Sequence, residues 1–291
     1  MKTKIFSFSA FLFLALALSM SSCGSSADEK YMAFPADKIA QSMDSVKNFS
    51  IILYDMDVKD KKYYHKYKVI QQTAEIPEAT SLDSTALADS TTSPADLGIV
   101  EKITDWKEVS PSDFDYHSSN MGMEIMSKKE GDLTKVAAPP GYSQYVGNSR
   151  YGQWKTNPST GDSFWAFYGR YMFLNTMFNL MSPVRYGGYS SYYGGYYGRR
   201  PYYGSVNSSG KYSYGTGSAH AAKSNPSFAQ RMKSNSALKS RVNNSISRSS
   251  ARATGGKRSS VSSSSSKRSR SSSRYSSGSS SRSRSSSRGG K

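Results

Sequence analysis

Residues 49–70 read Phe49-Ser50-Ile51-Ile52-Leu53-Tyr54-Asp55-Met56-Asp57-Val58-Lys59-Asp60-Lys61-Lys62-Tyr63-Tyr64-His65-Lys66-Tyr67-Lys68-Val69-Ile70. Ile52, Tyr54, Met56 and Val58 alternate with Ile51, Leu53, Asp55 and Asp57, the period of two that sends successive side chains to opposite faces of a strand. Lys59-Asp60-Lys61-Lys62 supplies a polar turn, and 63–70 offers a return strand rich in tyrosine and β-branched residues. Setting Val58 against Tyr63 places Ile52 opposite Val69, Tyr54 opposite Tyr67 and Asp55 opposite Lys66. Apolar then meets apolar and opposite charges face each other. The stretch is predicted to be a β-hairpin and the seed of an antiparallel sheet.

Outward from the hairpin, Pro35 opens a helical pattern in which Ile39, Met43 and Val46 fall at i, i+4 and i+7 on one face. Residues 72–98 lose periodicity and fill with Thr, Ser, Ala, Pro and Asp, as a mobile linker does. Strand-like stretches return at 99–106 and 121–136, the second folding about Lys128-Lys129-Glu130-Gly131-Asp132. The expected fold class is α+β, a small antiparallel-sheet module over 35–137.

Residues 138–182 turn towards glycine and aromatic side chains. Asp162 or Ser163 could cap a helix over 164–181 that Ser182-Pro183 stops, apolar around nearly its whole circumference and hence buried. Arg170, Asn175 and Asn179 oppose a membrane span, since a central arginine costs roughly 2.5–3.5 kcal/mol. A core helix is the first reading and an interfacial helix lying on a bilayer the second. Residues 183–204 are Gly/Tyr repeats, and 205–291 collapse to Ser, Arg, Lys, Gly and Asn. The expectation for that basic stretch is disorder, because it has too few apolar side chains to offset an ordering entropy of about 1–2 kcal/mol per residue.

Charge is segregated along the 291 residues. Of 39 basic and 21 acidic side chains, 17 and 21 lie in 1–162, and 22 and none in 163–291. The single cysteine excludes a disulfide framework, a cysteine-based zinc site and an iron–sulfur cluster, each of which needs at least two thiolates.

That cysteine has a telling position. Lys2 and Lys4 precede an apolar stretch over 5–18, followed by Ser19-Met20-Ser21-Ser22-Cys23-Gly24. A positive segment, a short apolar segment and a small-residue cleavage site are the parts of a secretory signal, too short to span a bilayer comfortably. With cysteine after the small pair, 1–22 resembles a bacterial lipoprotein signal peptide, with Met20 where that family usually has Leu. The resemblance implies acylation of Cys23, a lipidated tether over 23–34, and anchorage of the mature chain in a Gram-negative envelope. Each buried CH₂ of an acyl chain contributes roughly 0.8 kcal/mol to such an anchor. Gly24 resembles outer-membrane sorting, and Asp28-Glu29 the acidic export tags of surface lipoproteins. Asp44-Ser45-Val46, Asp83-Ser84-Thr85 and Asp89-Ser90-Thr91 resemble O-glycosylation acceptors of exported proteins, with plain turns as the simpler reading. From Pro139-Pro140-Gly141 onward the chain resembles uncharacterised bacterial lipoproteins with Gly/Tyr and Ser/Arg tails, a likeness that brings no activity with it.

Residues of catalytic type do not assemble into a constellation. His65, His117 and His220 lack the spacing of helix-face metal ligands, and His65 reads as a partly exposed cross-strand residue. Asp55, Asp57 and Asp60 lack the glycine and the bidentate Glu of a calcium loop and read as partners of Lys61, Lys62 and Lys66. Gly141-Tyr142-Ser143-Gln144-Tyr145 lacks the final glycine of a nucleophile elbow. No enzyme, metal or cofactor is expected.

The Arg-Ser repeats resemble splicing-factor tails, a setting the export signal opposes, yet guanidinium groups bind polyanions by charge whatever the sequence. Arg268, Arg270, Arg274, Arg282, Arg284 and Arg288 are the candidate polyanion-binding residues. Candidate partners are lipopolysaccharide phosphates, anionic lipids, acidic polysaccharide and extracellular DNA, besides the membrane itself. The expected function is a non-enzymatic, lipid-anchored envelope protein whose cationic tail tethers polyanions or an envelope partner. The alternative is a module that recognises a specific protein or glycan through its folded part.

Overall fold

The computed structural model describes residues 32–75 and 92–253. Its centre is the hairpin, β1 (Asn48–Lys59) paired with β2 (Lys62–Gln72). Asp60 and Lys61 close the turn with φ of 52° and 62°, the left-handed pair that matches the twist of adjoining strands. Val58 faces Tyr63 and Asp55 faces Lys66, as expected from the sequence. Beyond Asp55 the register shifts, so Leu53 faces Tyr67, Ile52 faces Lys68 and Ile51 faces Val69. The pairings expected for Ile52 and Tyr54 are corrected by this bulge, and its physical reason is burial. Phe49, Ile51 and Leu53 share one core with Met56 and border Val58, so the alternation changes phase between Leu53 and Met56. An unbroken period would have aimed Asp55 and Asp57 into that core.

The sheet runs β3-β2-β1-β5-β6, with β3 (Ile99–Ile103), β5 (Glu124–Lys129) and β6 (Asp132–Thr134) all antiparallel to their neighbours, and β4 (Lys107–Val109) also pairs with β2. The fold is α+β. One face carries α1 (Pro35–Ser42) and α2 (Pro111–His117), whose Ala36, Ala40 and Phe114 pack with Phe49, Ile51 and Tyr67. The other face carries an aromatic layer in which Ile52 and Ile70 meet Tyr142, Tyr145, Tyr171 and Phe178.

The continuous helix expected over 164–181 is corrected. Residues 163–167 form β8 (Ser163–Phe167), paired with β7 (Gly152–Thr156), and only a 3₁₀ turn (Gly169–Tyr171) and a short α3 (Phe173–Met177) follow. Strand pairing wins because Trp165 and Phe167, two apart, are both buried, with Trp165 facing Trp154 across the ladder. Gly152 lets the two strands close up, for a side chain there would collide with the Ala166 carbonyl. The segment nevertheless lies in the core: Tyr171, Leu174, Met177 and Phe178 are all buried.

One further expectation is corrected, and a stretch read only by its composition proves structured. Within the Gly/Tyr repeats of 183–204, α4 (Tyr186–Gly195) forms and Tyr192 and Tyr202 are buried. Where α4 ends, the rings of Tyr193 and Tyr197 stack 4.8 Å apart with planes 4° from parallel. Disorder from residue 205 onward is replaced over 205–253 by α5 (Ala219–Ser224), α6 (Pro226–Ser234) and α7 (Ser236–Ala253). Phe228, Leu238 and Val242 of these helices are buried against the hairpin core, with Met232 and Ile246 half-buried beside them.

These basic helices dock on acidic side chains of the first half of the chain. β5 pairs with residues 49–52 of β1, and α6 lies along the edge beyond. Asn225 and Asn235, at the two ends of α6, donate to the carbonyls of Tyr54 and Val58 at 3.0 Å each, capping a strand edge that would otherwise be open. Between them Arg231 hydrogen-bonds Asp55 and lies 3.4 Å from Asp57. On α7, Arg241 grips Asp115 through two nitrogens at 2.7 and 2.8 Å, and Ser245 donates to the same carboxylate at 2.5 Å.

Candidate functional site

Cys23 and the arginines Arg268, Arg270, Arg274, Arg282, Arg284 and Arg288 lie outside the described residues, as do Asp83-Ser84-Thr85 and Asp89-Ser90-Thr91. Ser45 is exposed on the turn that follows α1. Two sequence readings are corrected at the hairpin. His65 is fully buried rather than partly exposed: its Nδ1 lies 3.2 Å from the Tyr67 hydroxyl and its ring stacks on Phe114. Asp55 and Asp57 pair with Arg231, not with Lys61 or Lys66; Lys62 bonds Glu108 at 3.0 Å, and Lys66 lies over the Trp106 ring. Among the described residues no group of three or more His, Cys, Asp or Glu side chains is placed to hold a metal ion, and no helix is long and apolar enough to cross a membrane.

Two features sequence reasoning missed stand out. The first is Glu124 on β5, fully buried between the sheet and the Pro139-Pro140-Gly141 turn. Burial pushes its carboxyl up to about 7, against hydrogen bonds from Ser143, Ser50, the Gly141 amide and Ser127 that favour the charged form. A glutamate between Met123 and Ile125 was the available signal. Because the folded pKa lies above the unfolded value of about 4.5, the group holds its proton longer in the folded state, and stability falls as pH rises through that window. The loss between pH 4.5 and 7 is about 3 kcal/mol. The histidines act oppositely. Burial lowers His117 and His220 to about 4 and pushes His65 well below its ordinary value, so the fold loses stability as pH falls below 6.5. Glu124→Gln isolates the carboxyl: in urea unfolding at pH 5 and pH 8, wild type should lose about 3 kcal/mol relative to the variant on going to the higher pH. Parallel pH curves would show that Glu124 titrates normally.

The second feature is an open cleft of about 1070 Å³. One wall is formed by residues 161–163 and 180–188, joined by the bridge between Phe164 and Arg185. The other wall is formed by the 204–213 turn, closed by the bridge between Val206 and Tyr212, together with the start of α5. Tyr142, Tyr202, Tyr214 and His220 line it between the walls, with the Tyr142 and Tyr214 hydroxyls 3.4 Å apart. Tyr186 and Tyr212, both about half exposed, stand on the two walls. Gly187, Gly188, Gly204 and Gly217 keep the walls free of side chains.

The floor carries no charge near neutral pH. Burial raises the phenols of Tyr142, Tyr202 and Tyr214 and holds His220 neutral. The charged side chains lining the cleft are Arg185, Lys211 and Asp162; Asp162 lies 3.6 Å from Arg185. A neutral aromatic floor under a mainly cationic rim is chemistry for holding a ligand. Ser143, Ser50 and Ser127, the hydroxyls beside the Glu124 carboxyl, are all buried and do not line the cleft; the Ser143 Oγ lies 3.1 Å from the Tyr192 hydroxyl.

Comparison of the chain with protein-family models, with curated proteins and with solved structures found no match in any of the three.

Proposed function

We propose that this chain is a non-enzymatic binding protein of a Gram-negative cell envelope, tethered through acylated Cys23 and recognising an envelope ligand in the tyrosine-floored cleft. The observation that carries the reading is the cleft itself. At about 1070 Å³ it lies just above the roughly 300–1,000 Å³ typical of ligand sites, and it combines apolar ring faces with a few polar groups, the usual makeup of such sites. The tether rests on Lys2, Lys4, the apolar stretch after them and Ser21-Ser22-Cys23. A second reading assigns recognition to Arg268, Arg270, Arg274, Arg282, Arg284 and Arg288, favoured by ten basic and no acidic residues in 254–291. The two act on different parts of the chain and separate cleanly.

Cys23→Ala is expected to release the protein from the membrane fraction or to leave an uncleaved precursor, and to lose a metabolic fatty-acid label; label retained by the variant would overturn the tether. For recognition, binding of the protein to purified envelope fractions is compared between wild type, Gly188→Phe and a chain ending at residue 253. Loss in Gly188→Phe alone supports the cleft. Loss in the shortened chain alone would move recognition to the terminal arginines.

A further inference from the structure

Resting on the cleft as the recognition site, we propose that its ligand is an acidic oligosaccharide, a short chain of sugar rings carrying carboxylates. Four observations converge on this class. First, the lining rings are tyrosines, with no phenylalanine or tryptophan among them. A phenol offers an apolar face to the C–H face of a sugar and a hydroxyl to its oxygens, whereas a purely greasy ligand would gain nothing from the Tyr142, Tyr202 and Tyr214 hydroxyls.

Second, the cleft is open, and Tyr186 and Tyr212 keep about half of their surface exposed where they line it, leaving ring area free for a ligand. Third, Gly187, Gly188 and Gly217 line the cleft, and a Cβ on Gly187 or Gly217 would meet nothing within 4 Å, so bare backbone borders the space a hydroxyl-rich ligand would fill.

Fourth, the rim charge selects sign. Lys211 makes no ion pair among the described residues, and the Arg185 side chain is 78% exposed. Among the described residues its one ion pair is an Nη contact to Asp162 at 3.6 Å, longer than a charge-assisted hydrogen bond of about 2.8 Å, so that contact leaves most of the guanidinium fork's donors open. Asp162 leaves the rim with a net single positive charge, suited to a sparsely charged sugar chain and poorly suited to a dense polyanion.

The test uses the full chain, tetragalacturonate as the acidic probe, maltotetraose as the neutral one and tetraglutamate as a charge control, with affinities measured by calorimetry. Gly188→Phe blocks the cleft without straining the fold. Gly188 lies in α4, and the only atom near a Cβ built there is the Tyr202 hydroxyl at 3.8 Å. Gly187→Trp, where a Cβ meets nothing within 4 Å, is the second variant.

Tetragalacturonate is expected to bind at least tenfold more tightly than either control. It should weaken at least tenfold in Gly188→Phe, and severalfold in Tyr186→Ala, Tyr212→Ala and Lys211→Ala. Every variant keeps residues 254–291, so any contribution of the terminal arginines cancels in the comparison. Equal binding of tetraglutamate, equal binding of maltotetraose, or an affinity unchanged by both glycine variants would each overturn the inference. If Gly188→Phe abolishes binding to envelope fractions while no oligosaccharide binds wild type, the cleft remains the recognition site and the sugar assignment falls.

Discussion

Arg231→Ala is expected to lower the folding stability by about 3 kcal/mol, the low end of the cost of stripping one partner from a buried ion pair. Its partner Asp55 is 5% exposed, and burial raises its carboxyl pKa even with the guanidinium in place. Removing Arg231 leaves that carboxylate with the Met56 amide at 2.8 Å and the Asn225 side chain. The low end applies because the Arg231 side chain is a quarter exposed, so water reaches part of the pair. The sign of the pH effect follows from the direction of the shift. A carboxyl whose folded pKa is raised holds its proton longer in the folded state, so the variant's deficit should grow as pH rises above the unfolded value of about 3.8. Asp55→Asn added to Arg231→Ala removes the stranded charge and should recover much of the loss. Urea midpoints of the two variants at pH 7 make the comparison. A single variant as stable as wild type would show that α6 is held by Phe228 and its asparagine caps alone.

Phe178→Ala should cost about 3–5 kcal/mol, as large-to-small changes of fully buried aromatics do. The ring is 1% exposed, packs on Tyr145 at a centroid distance of 5.1 Å, and fills the space above Gly141. That glycine has φ of +80°, and a Cβ on it would come within 2.9 Å of the Phe178 ring, so the turn and the ring are fitted to each other. For a domain of this size the melting temperature should fall by about 10 °C. Phe178→Leu, which leaves a smaller void, should fall by much less. A Phe178→Ala protein that melts like wild type and loses affinity for lipid vesicles would instead place this segment at a bilayer surface.

The hairpin was legible because two strands of alternating pattern flank one polar turn, and a match at Val58 and Tyr63 propagates as far as Asp55. The bulge was not. Ile51, Ile52 and Leu53 are consecutive apolar residues, so the run fits either phase, and the choice is made by the second core that claims Ile52. Residues 164–181 defeated periodicity for a related reason: when nearly every residue is aromatic or aliphatic, periods of two and 3.6 both find matches. Composition concealed the helices of 205–253, since Phe228, Leu238 and Val242 are diluted among Ser, Lys and Arg. The arginines there read as solvated charge, yet three of them meet aspartates well over a hundred residues earlier in the chain. The cleft was illegible as a unit. Tyr142, Arg185 and Tyr212 belong to separate stretches that only the tertiary fold brings together, although the Gly/Tyr composition of two of those stretches did mark the region as unusual.

The docking of α6 along the open edge of β1 has a consequence for the order in which the chain becomes safe from its own kind. Arg231 reaches Asp55 across 176 residues, so the hairpin strand can be complete long before its cover has been made. Contacts of such sequence separation close slowly, because the intervening chain must be gathered first. Until they close, the edge at Tyr54 and Val58 offers unpaired carbonyls to any neighbouring strand, the template for sheet-to-sheet association. A newly made chain therefore passes through an interval of vulnerability that ends only when its last basic helices arrive. A nonsense codon before residue 225 would make that interval permanent, leaving the module a seed for aggregation.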